Sequence, residues 1–138
     1  MPDAPPPGLR VDVVAGSATT GDAYALLDVR APAGTAIPPH SHEVREATIL
    51  VLEGRLELVC GRERSVLEIG DLSRLPAGSP CRMTARSDVR LLFLTVPAGL
   101  EALSDLADPT SAPDPDDVAA LLAAAGVSLL PAAWGATA

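Results

Sequence analysis

The stretch GTAIPPHSHEVREATILVLEG, residues 34–54, decides how this chain is read. His40 and His42 stand two apart. Side chains on a strand alternate between its faces, so both imidazoles would project from one face, about 6–7 Å apart along the backbone. Such a pair can chelate a first-row transition ion. Each neutral imidazole gives one nitrogen, and a carboxylate or further imidazole from another strand completes the set while coordination positions stay open. The same spacing also suits two histidines that sit near a loop after Pro38-Pro39 and bind nothing. Downstream, ATILVL followed by Glu53-Gly54 has the composition of a strand running into a hairpin turn.

Outward from this stretch, residues 9–97 keep a β texture. Short apolar runs recur at the spacing of a sandwich or barrel: LRVDVV, YALLDVR, ATILVL, RLELVC, RSVLEI, DLSRL, CRMTA and VRLLFLTV. Turn signals separate them at 32–34, 53–54, Gly61, 70–71, 76–80 and 87–88. Residues 1–8 form a Pro-rich leader without apolar periodicity. Residues 98–138 change to a helical pattern, with Leu100, Leu103 and Leu106 spaced by three. A Pro/Asp-rich loop, 108–115, leads to an acidic helix start at Asp114, Pro115, Asp116 and Asp117. Val118, Leu121, Leu122 and Ala125 then share one helix face, and Gly126 supplies the C′ glycine. VSLLP beyond it is a candidate edge strand. Residues 118–138 carry no charge but are broken by Gly126 and Pro131, so they read as a helix docked on a soluble domain and not as a membrane span.

Composition narrows the function. The 138 residues, 48% apolar, suffice for one domain's core. Eighteen acids against ten bases, giving a net charge of -8, disfavour nucleic acid and anionic membranes as partners. There is no Lys, Asn or Gln, which looks like codon bias in a GC-rich bacterial genome and removes Schiff-base chemistry, including a pyridoxal phosphate site. No organic cofactor is expected. Tyr24, Phe93 and Trp134 are the only aromatics, so a pocket would be lined by aliphatic side chains. The N-terminus lacks a secretory signal, which points to a cytoplasmic chain with Cys60 and Cys81 reduced, although the two could in principle form one disulfide. No nucleophile triad, phosphate loop or CxxC pattern occurs, leaving hydrolase and kinase readings unsupported.

Residues 34–85 resemble the two signature motifs of the cupin superfamily. Gly34, five residues, His40, Ser41, His42, three residues and Glu46, with Gly54 closing the hairpin, are similar to the first. Gly70, Pro76 and Gly78 are similar to the second. The resemblance implies an all-β, RmlC-like double-stranded β-helix, a jelly-roll barrel over residues 9–97 with short C-terminal helices packed on it. It also implies a homodimer, and the two-sided apolar character of ATILVL and VRLLFLTV agrees, because helices or a second subunit must cover an outer face. In the second motif Cys81 stands where the family has a metal-binding His, and Ala85 where it has Asn. Counting from the histidines puts Glu46 at the carboxylate position of the first motif, whereas counting back from Gly54 puts Ala47 there, and alternation makes these opposite in face. A bulge between His42 and Ala47 could turn Glu46 inward.

Two functions are carried forward. In one, His40, His42 and Cys81, with Glu46 as candidate fourth ligand, hold a divalent transition metal (Zn, Fe, Ni, Mn or Cu) for oxygenase- or isomerase-type chemistry on a small organic molecule. In the other, a metal-free barrel is a non-catalytic small-ligand binding or sensor protein. Met83, on the face of Cys81, and Tyr24 are candidate pocket residues. Cys60 reads as core, and Glu43, Arg45 and Glu46 as a solvated cluster at the barrel mouth.

Overall fold

A computed structural model describes residues 8–108, 110–131 and 133–135. The leader expected at residues 1–8 lies, except for Gly8, outside the described residues. Among the described residues, ten strands form two five-stranded antiparallel sheets. They are β1 (Arg10–Ala15), β2 (Ala25–Ala31), β3 (Ala36–Ser41), β4 (Glu46–Glu53), β5 (Leu56–Cys60), β6 (Glu63–Leu67), β7 (Leu72–Leu75), β8 (Pro80–Ala85), β9 (Val89–Val96) and β10 (Ser128–Leu129). The order is β1-β2-β9-β4-β7 in one sheet and β10-β3-β8-β5-β6 in the other. β1–β2 and β5–β6 are neighbours within one sheet, while from β2 to β5 and from β6 to β10 consecutive strands alternate between the sheets in the manner of a jelly roll, as the sequence motifs imply.

Alternation decides what faces inward. On β4, Ala47, Ile49 and Val51 are fully buried, and on β9 Val89, Leu91, Phe93 and Thr95 follow the same period. These residues meet Met83 and Ala85 of β8 and Leu56 and Leu58 of β5 in one core between the sheets. On β3 the period is broken. Ile37 pairs with Met83 and His40 with Cys81, so three steps on β3 oppose two on β8. This bulge falls at Pro38-Pro39, where the missing amide hydrogens cannot serve the ladder. It returns His40 to the inner face that Ile37 occupies.

The helical tail follows its sequence signals closely. The Leu100, Leu103, Leu106 spacing is that of a 3₁₀ helix with three residues per turn, and Glu101–Leu106 adopts it. Helix α2 (Pro115–Ala124), the second after a single short turn α1 (Ser17–Thr20), is capped by the Asp114 carboxylate, which accepts from the Asp116 amide. It ends with the Val127 amide donating to the Leu122 carbonyl and the Gly126 amide to that of Ala123, Gly126 sitting at φ +84°. Val118 and Leu122 face the core. β10 then pairs along β3 as an edge strand.

The tail does not cover the outer face for which such a cover was expected. α2 packs on β3, β10 and the 3₁₀ helix, which itself packs on β1, so the segment closes an end of the barrel. On the outside of β9, β4 and β7, Leu92, Leu50 and Leu72 stand in one register row, and Leu72 remains 63% exposed. No helix among the described residues is long and apolar enough to cross a membrane.

Candidate functional site

Between the sheets lies a cavity of about 90 Å³, walled by Ile37, Met83, Leu91 and Phe93 and closed by Leu100, Leu103 and Leu122 from the tail. His40 and His42 are the ionisable residues in its lining. Their ring centres are 4.8 Å apart with the planes at 89°. His40 is 1% exposed and its Nδ1 lies 2.7 Å from the Pro38 carbonyl. A carbonyl can only accept, so Nδ1 carries the hydrogen and Nε2 keeps its lone pair. The bulge that turns His40 inward also supplies this carbonyl. His42 is 4% exposed, and neither ring nitrogen has a hydrogen-bond partner among the described residues.

Both imidazoles are neutral at pH 7. Burial away from water lowers His40, partly offset by its bond to Pro38. Burial, then the charges of His40 and Arg45, lowers His42 to about 4. Arg45 is not part of a solvated cluster, as its neighbours in sequence suggested. Its Nε donates to the Ala98 carbonyl and its Nη1 to the Ala125 carbonyl, tying the loop after His42 to both parts of the helical closure. Gly99 leaves room for this guanidinium, since a Cβ there would lie 2.1 Å from Nε. No motif marks this strap in the sequence, because both acceptors are backbone carbonyls more than fifty residues away.

The other candidates fall in different places. Met83 lines the cavity. Tyr24 does not: it is 41% exposed just before β2, where the Thr20 hydroxyl donates to its carbonyl. Glu46 begins β4 on the outer side and pairs with Arg74, whereas Ala47 is fully buried, so β4 adopts the register counted from Gly54. No bulge between His42 and Ala47 turns Glu46 inward. Cys81 faces the interior but outside the cavity lining, with its thiol donating to Cys60 Sγ at 3.0 Å. Burial, and then this contact, push the Cys81 thiol up and keep it protonated. Cys60, read as core, is half-buried.

This donor set falls short of a transition-metal site. A carboxylate is absent where the family motif would hold one, Ala47 having no ligand atom, and Cys81 is a thiol engaged with a second thiol. Among the described residues no three His, Cys, Asp or Glu side chains converge on a common point. The two imidazoles alone are well placed, and among the described residues the unpartnered nitrogens of His42 and the lone pair of His40 Nε2 are groups that a metal or a ligand would satisfy.

The fold and these motifs define a class. A family model described as a cupin domain matches residues 27–97, just over half of the chain, and the chain belongs to that family. It is 40% identical over 68 residues to a quercetin 2,3-dioxygenase of Bacillus subtilis (strain 168), covering 49% of this chain and 20% of that protein. The chain thus spans about a fifth of the length of that relative. Among solved structures it is similar to KdgF from Halomonas sp., with TM-score 0.59, 24% identity and coverage of 66% and 80% of the two chains. An RmlC-like cupin from Shewanella frigidimarina NCIMB 400 superposes with TM-score 0.60 at 18% identity, covering 70% and 82%. These likenesses establish the fold and carry no reaction with them.

Proposed function

We propose that the barrel holds a small, largely apolar organic molecule carrying one hydrogen-bonding group, which meets the neutral imidazole of His42. The observation that carries this reading is the orphaned pair of nitrogens on His42, buried in a cavity whose lining is apolar apart from Thr35, His40 and His42 itself. A buried polar group without a partner costs about 1–3 kcal/mol, which a ligand hydroxyl, carbonyl or amine would relieve. A neutral imidazole offers one donor and one acceptor, so either kind of group is accepted. Size sets a limit. The 90 Å³ cavity is smaller than the roughly 150 Å³ that takes benzene, so it suits a molecule of a few heavy atoms.

A second reading is a divalent metal on His40 and His42 serving oxygenase-type chemistry. The inward imidazole pair, the free lone pair of His40 Nε2, and the partial identity to a protein named as a dioxygenase favour it. Missing third and fourth donors at Ala47 and Cys81 place it second. For assembly we propose a second copy of the chain over Leu50, Leu72 and Leu92, and for location a reducing, cytoplasmic compartment.

Metal analysis of untagged protein beside thermal shifts with short alcohols, ketones and amines tests the choice. The first reading expects no stoichiometric metal, and a ligand-dependent rise in Tm that is lost in His42→Leu. One equivalent of metal per chain, lost in His40→Ala, would overturn it in favour of the second.

A further inference from the structure

We propose that Cys60 and Cys81 are a site of reversible oxidation, closing to a cross-strand disulfide between β5 and β8 when the chain meets a low-molecular-weight disulfide. The two residues are direct partners in the ladder. The Gly61 amide bonds to the Pro80 carbonyl, one residue outside the pair on each strand, which makes Cys60 and Cys81 a non-hydrogen-bonded pair. In such pairs the Cα atoms stand about 4.5 Å apart, inside the window that a disulfide bridges. Both side chains lie on the inner face with Leu58 and Met83, and the sulfurs are already 3.0 Å apart. Forming the bond therefore needs side-chain rotation and no change of strand register.

Exposure separates their parts. Cys60 is half-buried at the end of β5, beside the Gly61 turn, and is the thiol that a small reagent can reach. Cys81 is 1% exposed and can be reached only from Cys60. In the first step Cys60 Sγ, as thiolate, attacks one sulfur of the reagent RSSR. The protein–SR bond forms, the reagent's S–S bond breaks, and RS⁻ leaves and takes up the proton that Cys60 gave. In the second step the minor thiolate fraction of Cys81, no longer beside the Cys60 thiol that helped hold its proton, attacks Cys60 Sγ, the Cys60–SR bond breaks, and the second RS⁻ leaves and takes up the proton that Cys81 gave. Two protein thiols are oxidised by two electrons, and one RSSR is reduced to two RSH. Cys81 also faces His40 across β8 and β3, so the bond would fix its sulfur on the β5 side, away from the histidine pair.

The test equilibrates the full native chain with oxidised glutathione, quenches with acid, and reads intact mass, free thiols and Tm. The expected product is a single chain lighter by two hydrogen atoms, without free thiols and restored by dithiothreitol. Its Tm is higher by about 10 °C, the rise expected from closing a loop of some twenty residues in a chain of this size. Cys81→Ser and Cys81→Ala should instead stop with one glutathionyl group on Cys60. The proposal is overturned if wild type keeps both thiols, if it too stops at the glutathionyl adduct, or if the product is a dimer joined through Cys60. The wild-type measurement decides alone should either variant fail to fold.

Discussion

Lowering the pH from 7 to 5 should remove about 2 kcal/mol of folding stability through His42 alone. The imidazole is held near 4 in the fold against an ordinary 6.5. Its folded value is depressed, so the unfolded chain binds the proton first. Stability is whole above 6.5, begins to fall below it, and is fully lost only beneath about 4. Linkage between those two values gives about 2 kcal/mol at pH 5 and about 3 kcal/mol at pH 4. His40, lowered by the same burial, adds to the loss with the same sign. The window is clean because the chain has only two histidines, while Asp28, bonded to Arg90, titrates below the usual carboxylate range. Urea unfolding at pH 7, 6 and 5 measures the effect, and His42→Leu should abolish most of the slope and be more stable than wild type at pH 5. A change under about 0.5 kcal/mol between pH 7 and 5, or a histidine resonance for His42 titrating near 6.5, would refute the buried, unpartnered state assigned to it.

Arg45→Ala should cost about 1–3 kcal/mol by leaving the Ala98 and Ala125 carbonyls without their donor, and should speed exchange of amides in α2; unchanged exchange would remove the strap. Glu46→Ala breaks only a surface ion pair with Arg74, so stability should change by less than about 1 kcal/mol and metal content not at all, as read by urea unfolding and mass spectrometry of metals. Phe93→Ala enlarges the cavity and should cost about 3–5 kcal/mol, while extending the ligands that raise Tm to larger molecules. Ala47→Glu supplies a carboxylate at the inward position and should convert a chain without stoichiometric metal into one that retains a divalent ion; failure to do so would show that the histidines are not arranged for one.

What the sequence determined alone is what local periodicity can carry. ATILVL and VRLLFLTV could be read as strands from their apolar, β-branched composition, but being apolar at both parities they left the buried face open, and the period of two appears in their burial. Leucines spaced by three marked the start of the tail as helical, its 3₁₀ form appearing only in the structure, and Asp114, Pro115 and Gly126 bounded α2, because caps are satisfied within a few residues. His40 and His42 were legible as a same-face pair, though not as an inward one. Tertiary structure decided everything that depends on register between distant strands. Whether β4 shows Glu46 or Ala47 to the interior follows from its ladders with β7 and β9, and the inward turn of His40 from a bulge against β8. The contact of Cys60 with Cys81, the reach of Arg45 to Ala98 and Ala125, and the closing of the barrel by Leu122 join residues 21 to 80 or more positions apart. One-residue slips in pairing invert which side chains meet, and no pattern inside a single strand records which slip the assembled sheets adopt.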